Sequence, residues 1–381
     1  MRLPVPAYGR ESLADLGPSV LAALGVPGEA NVLGLPDLPR ACVLLIDGLG
    51  WELLRAHTGA APYLSALPGR PLTAGFPSTT ATSVTSLGTG RPPGGHGMFG
   101  YQVAVPGEGR LHNCLRWSAG IDPLTWQPAP TIYERAAAAG VVTGHVSASA
   151  FQNSGLTRSA YRGARYLPAD LLGQLVARTE QAVREGERAL VTVYHGDLDA
   201  IGHINGSRSA AWRHQLGFVD LLARRLAEVM PPDAAFYVTA DHGMTDPTDR
   251  VDVDAEAGLR AGVALLGGEA RARHVYTEPG AAADVLAAWR ERLAGQAWVL
   301  SREEAIAEGL FGPVEAALAP RIGDVLAIPY ADVAIVATEA EPLESTIVGM
   351  HGSLVAAEQL VPLLSHEDPD ERRTASRRRR D

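Results

Sequence analysis

ACVLLIDG, residues 41–48, sets the reading of the fold. Six apolar residues end abruptly on Asp47-Gly48, as a buried strand does when it runs into a polar loop. The pattern recurs: ALVTVY (189–194) runs into HGDLDAIGH, and AAFYVTA (234–240) runs into DHGM. Between these two, residues 210–230 carry the apolar spacing of an amphipathic helix. Strand, polar loop, helix and strand again predict an α/β fold with a largely parallel central sheet and helices on both faces. In such sheets a site forms at the carboxyl ends of the strands.

Outward from these runs, residues 1–40 are punctuated by Pro and Gly, with one helical stretch at 12–24. Helices are expected at 51–57 and from Thr79 to Leu87, the second preceded by Phe76-Pro77-Ser78. Residues 264–330 read differently: helical stretches at 281–293 and 302–308 alternate with short apolar runs at 275–277, 298–300 and 325–328. They are expected to form a small inserted α/β lobe within one catalytic domain spanning 1–370. The end, ERRTASRRRRD (371–381), has charge and no apolar partner, and reads as a disordered basic tail.

The chain has 381 residues, is 46% hydrophobic and carries a net charge of −10. It contains no lysine, so arginine carries all fixed positive charge. An acidic chain of this kind does not suit a nucleic-acid polymer. It suits a small phosphate ester if metals supply local positive charge. Two cysteines, Cys42 and Cys114, are too few for a disulfide framework or a cysteine zinc site. Neither an apolar leader nor an apolar run of about 18 residues is apparent, so no membrane contact and a cytoplasmic location are expected.

Taken singly, the polar clusters have ordinary explanations. Asp47-Gly48 is a common turn. Asp199 and His203, four apart, share one helical face as many surface pairs do. Asp241-His242-Gly243 and His351-Gly352 are short. Taken together, three Asp and three His each follow an apolar run or sit in a glycine loop. Carboxylates mixed with imidazoles suit zinc better than magnesium or calcium. The hydroxyl-rich run Ser78–Ser83 adds a nucleophile at a helix start, where free N–H groups meet an anion. Ser78 or Thr79 would serve equally as a helix cap.

These motifs resemble the alkaline phosphatase superfamily, and within it the nucleotide pyrophosphatase/phosphodiesterases. The likeness rests on Asp47 after a strand, FPSTTATSVTSLGTG (76–90), the His-Gly of Pro92–Gly97, Asp199-x-x-x-His203, Asp241-His242-Gly243 and His351-Gly352, in that order. It implies a metal-dependent phosphoester hydrolase, a phosphodiesterase or nucleotide pyrophosphatase acting through a phospho-threonine. It implies two divalent ions, with zinc expected. One would be held by Asp199, His203 and His351, and the other by Asp47, Asp241, His242 and Thr80. Thr80 rather than Thr79 is the expected nucleophile, because it stands nine residues before Thr89-Gly90. The partner would be a small phosphate ester or nucleotide.

Two departures touch the substrate contacts. Where the phosphodiesterases place an Asn, this chain has Tyr101, and Asn113 on a nearby loop is the candidate replacement. Phe76-Pro77 precedes the nucleophile, whereas in those enzymes Phe-Pro follows it. His96 matches a family His but is read as structural, and His195 and Asp197 lack the four-residue spacing to His203 that Asp199 has. Trp117, Trp126, Phe151 and Tyr161 are candidates to stack on a base or aryl group, or to fill the core. The alternatives are a phosphomonoesterase on the same frame and a catalytically silent metal- or ligand-binding protein. A sulfatase is not expected, because Thr80-Ala81-Thr82-Ser83-Val84 lacks the Cys/Ser-x-Pro-x-Arg of the sulfatases that resemble this frame.

Overall fold

The computed structural model describes residues 3–366. The basic tail expected at 371–381 lies outside them. Seven strands form the main sheet in the order Gly69–Thr73, Leu360–His366, Ala234–Thr239, Arg40–Ile46, Ala189–His195, Val142–Ser147 and Arg165–Pro168. Leu360–His366 runs antiparallel to both its neighbours, and the rest of the sheet is parallel. Arg40–Ile46 lies at the centre and is buried from Ala41 onward, which is why it reads as a continuous apolar run rather than an alternating one.

The helix Ala210–Glu228 buries Trp212, Leu216, Val219, Ala223 and Leu226 at three- and four-residue spacing. Each large apolar side chain so buried contributes about 1.5–3 kcal/mol. Among the described residues, no helix is long and apolar enough to cross a membrane.

Residues 263–329 contain a second sheet. It is antiparallel, with strands in the order Val263–Glu269, Ala272–Thr277, Val325–Pro329 and Ala297–Ser301. Helices Ala282–Arg292 and Arg302–Ala307 accompany it. Its core around Val275, Trp289 and Val325 is separate from that of the main sheet. A buried ion pair joins this lobe to the catalytic frame: Arg271 Nη2 lies 2.7 Å from Glu358 Oε1. Glu358 also accepts from the Thr245 hydroxyl and the Ser353 N–H, so one carboxylate ties together the loops that follow His242 and His351.

Candidate active site

The parallel register does most of the assembly. Ile46 pairs with His195 and Leu45 with Thr239, so three neighbouring strands deliver Asp47, the Asp197–Asn205 helix and Asp241 to one edge. Gly48 has φ +75°, and a β-carbon there would lie 3.1 Å from Asp199. Glycine is needed for the turn and for the close approach of the Asp199 helix.

The fourth contributor is the helix Thr80–Thr89, every residue of which is buried. A helix this rich in hydroxyls tolerates burial because most of its donors are satisfied, the Ser83 hydroxyl alone lacking a partner among the described residues. Thr85 donates to the Ala81 carbonyl, Thr89 to that of Thr85, and Thr82 to that of Met98. A β-carbon on Gly88 would meet the Ala160 carbonyl oxygen at 2.1 Å, so glycine permits a close helix contact there. The helix begins at Thr80, one residue later than expected, with Thr79 at the cap position in extended conformation. Neither expected cap forms: Ser78 donates to the Ser353 carbonyl, and the Thr79 hydroxyl meets Glu269.

All three histidines are oriented alike. Nδ1 of His203, His242 and His351 lies 2.7, 2.9 and 3.0 Å from the carbonyl oxygens of Gly349, Gly243 and Ser78. A carbonyl only accepts, so Nδ1 carries a hydrogen and Nε2 points inward. His242 Nε2 lies 3.3 Å from Asp47 Oδ1 and 3.2 Å from the Thr80 hydroxyl. His203 Nε2 lies 3.1 Å from Asp199 Oδ2. Ligand atoms of Asp47, Asp241 and His242 all lie within 4.8 Å of one another, as do those of Asp199, His242 and His351. His242 thus stands between the two groups, and His203 approaches the second through Asp199.

Do these residues suit a cation? Asp47 Oδ1, Asp199 Oδ1 and Asp241 Oδ2 are buried and have no hydrogen-bond partner among the described residues. Burial and the adjacent Asp47 charge push the Asp241 carboxyl well above the usual carboxylate range. Burial opposes charge on His242, yet Asp241, Asp47 and Asp199 hold its pKa well above the ordinary value. The same contest, won by Asp199, puts His203 at about 9. Burial and the neighbouring histidines push His351 well down, towards the neutral ligand form. The carboxylates thus draw in positive charge, which divalent cations would supply without protonating the imidazoles.

Two residues were not apparent from sequence. The Tyr194 hydroxyl donates to Asp47 Oδ2, fixing that carboxylate. Glu269, from the smaller lobe, lies 3.6 Å from His351 Nδ1, and burial raises its pKa to about 8. Two cavities meet at Thr80, Asp199 and Leu115: one of ≈560 Å³ on the Asp47 side, the other of ≈320 Å³ on the His203 side. Tyr101 lines the smaller cavity and its hydroxyl reaches Glu344 at 3.3 Å. Asn113 lines neither; its side-chain oxygen accepts the N–H groups of Leu115 and Arg116. Phe151 and Tyr161 line the larger cavity, whereas Trp117 and Trp126 pack edge-on against His112. His195 and Asp197 face that larger cavity, with His195 Nε2 3.7 Å from Asp197 Oδ2.

His96 is fully buried, with both ring nitrogens engaged: Nδ1 accepts the Met98 N–H, so Nε2 donates to the Ser86 hydroxyl. His96→Ala is expected to cost about 2–3 kcal/mol of stability, because two buried polar groups lose their partner. Urea unfolding checks this. Loss of bound metal with unchanged stability would instead make His96 a ligand.

The model of the family described as type I phosphodiesterase/nucleotide pyrophosphatase matches residues 41–354. The chain belongs to this family. The match spans every candidate ligand from Asp47 to His351, and the family is a metal-dependent member of the alkaline phosphatase superfamily. As a family member the chain is a hydrolase of phosphodiester or pyrophosphate bonds. Murine ectonucleotide pyrophosphatase/phosphodiesterase 5, solved as an inactive threonine-to-alanine variant with AMP, superposes with a TM-score of 0.69 at 18% identity, covering 86% of this chain and 87% of that one. The human protein of the same name gives the same values. Phosphonoacetate hydrolase from Sinorhizobium meliloti 1021, with phosphonoformate, gives 0.64 at 21% identity, covering 86% and 89%. No protein of curated function matches in sequence. These likenesses establish the alkaline phosphatase-like α/β fold of this phosphodiesterase-family chain.

Proposed function

We propose that the chain cleaves phosphodiesters or nucleotide pyrophosphates on a two-metal site, through a phospho-threonine on Thr80. The observation that carries this reading is the position of the Thr80 hydroxyl. It opens a helix and stands 3.2 Å from His242 Nε2, where the two carboxylate–imidazole groups meet. The inactive threonine-to-alanine variant of the murine relative adds support.

Asp47, Asp241, His242 and Thr80 would hold one ion, and Asp199, His203 and His351 the other. When bound, two divalent cations would lower the Thr80 hydroxyl pKa and neutralise the phosphoryl oxygens. Three carboxylates and a Thr80 alkoxide carry −4, which two such ions balance. Thr80 Oγ1 forms the new bond to phosphorus and the ester oxygen leaves opposite it. N–H groups at the start of the Thr80 helix orient a phosphoryl oxygen. Water then displaces Thr80. Tyr194 holds Asp47 in place throughout, and Tyr101 contacts the substrate from the smaller cavity. Zinc as the ion, a single catalytic domain over 1–370 and a cytoplasmic setting belong to the same proposal.

The test compares bis-p-nitrophenyl phosphate with p-nitrophenyl phosphate. The diester is expected to have the higher kcat/KM. A tenfold preference for the monoester would make the chain a phosphomonoesterase, and no turnover of either, with metal bound, would favour a silent binding protein.

A further inference from the structure

The smaller lobe brings a guanidinium to the candidate site. Arg273 lies on the strand Ala272–Thr277, is 1% exposed, and lines the smaller cavity with Thr80, Asp199, His203 and His351. Its Nε donates to the Ile335 carbonyl at 2.8 Å, and its Nη2 lies 2.7 Å from Glu341 Oε2. Nη1 is buried and has no hydrogen-bond partner among the described residues. A buried donor is costly to leave unmade, and a charged one most of all, so an orphan on a cavity wall points to an acceptor on a ligand. Arg116 lines the same cavity and is exposed. Its guanidinium likewise has no hydrogen-bond or ion-pair partner among the described residues. The turn that carries Arg116 is held by Asn113, whose side-chain oxygen accepts the N–H groups of Leu115 and Arg116.

The carboxylates of this cavity are mostly committed. Glu341 pairs with Arg273, Glu344 lies 3.3 Å from the Tyr101 hydroxyl, and Glu269 lies against Thr79 and His351 with Oε1 unpartnered. Two guanidinium groups with donors to spare thus stand against one carboxylate oxygen, and the balance favours an anion. In-line attack by Thr80 sends the leaving oxygen away from the Asp47 group, towards Asp199, His203 and His351, which line this cavity. We propose that Arg273 and Arg116 form a second anion subsite, which selects phosphoesters whose leaving group carries a carboxylate or phosphoryl group of its own. The proposal rests on the phosphodiesterase reading above and adds the residues that choose the leaving group.

Three methyl 4-nitrophenyl phosphodiesters test it, the leaving ring carrying at position 3 a hydrogen, a carboxylate or a phosphonate. The readout is the kcat/KM of each anionic ester divided by that of the plain ester, compared between variant and wild type, so intrinsic differences in leaving-group reactivity cancel. Arg116→Gln changes an exposed side chain, and Arg273→Lys keeps a cation beside Glu341 while removing the planar fork that presents Nη1. Each is expected to lower the ratio about tenfold. A fall with the carboxylate alone, or with the phosphonate alone, supports the subsite and says which anion it takes. Equal loss on all three esters would place the arginines at the reacting phosphoryl group and overturn the proposal. So would unchanged ratios in both variants when they melt like wild type. No turnover of any of the three by the wild-type protein would overturn the phosphodiesterase reading itself.

Discussion

Replacing Thr80 by alanine is expected to lower kcat by on the order of 10³-fold or more, about 4 kcal/mol of transition-state stabilisation. The hydroxyl is the group proposed to bond to phosphorus. Thr79 is the informative control. Its hydroxyl faces Glu269, so Thr79→Ala should cost about 1 kcal/mol, or roughly fivefold. Thr80→Ser should keep part of the activity by keeping the hydroxyl. Asp47, Asp241 and His242 remain in Thr80→Ala, so metal content should change little. Steady-state kinetics beside metal analysis of the three variants checks all of this. A dead Thr79→Ala with an active Thr80→Ala would move the nucleophile by one residue.

Removing metal should have an effect of similar size. Chelation is expected to abolish turnover, and zinc should restore it. The same treatment should lower Tm by about 3 °C for each ion lost, because an ion at 100 times its Kd contributes about 2.7 kcal/mol to the folded state. Asp241→Asn should reproduce much of the loss. It removes a buried charge from the group shared with Asp47 and His242, while keeping the hydrogen-bonding shape. Activity unaffected by chelator, with no transition metal in the protein, would remove the basis of the mechanism.

The parts of this site that could be read from sequence lie at strand ends. Asp47 and Asp241 follow apolar runs, and adjacent parallel strands bring such positions together whatever the details of packing. The four-residue spacing of Asp199 and His203 placed them on one face of the Asp197–Asn205 helix. Tyr194 was hidden because a tyrosine closing an apolar strand looks like core, and only the pairing of its strand with Arg40–Ile46 brings it to Asp47. Glu269 was hidden for a different reason. It ends a strand of the smaller lobe, and its approach to His351 depends on how that lobe packs. A β-carbon on Gly352 would lie 2.9 Å from the Glu269 side chain. The antiparallel direction of Leu360–His366 likewise follows from where the chain returns, not from its composition.

The chemistry of Thr80 can be observed directly. The protein is mixed with bis-p-nitrophenyl phosphate, quenched in acid within the first turnover, digested and weighed. The peptide containing Thr80 is expected to carry one p-nitrophenylphosphoryl group, formed with a burst of p-nitrophenol equal to the enzyme. The adduct should be absent in Thr80→Ala and present in Thr79→Ala. An adduct on another residue, or steady turnover with neither burst nor adduct, would contradict a covalent threonine intermediate.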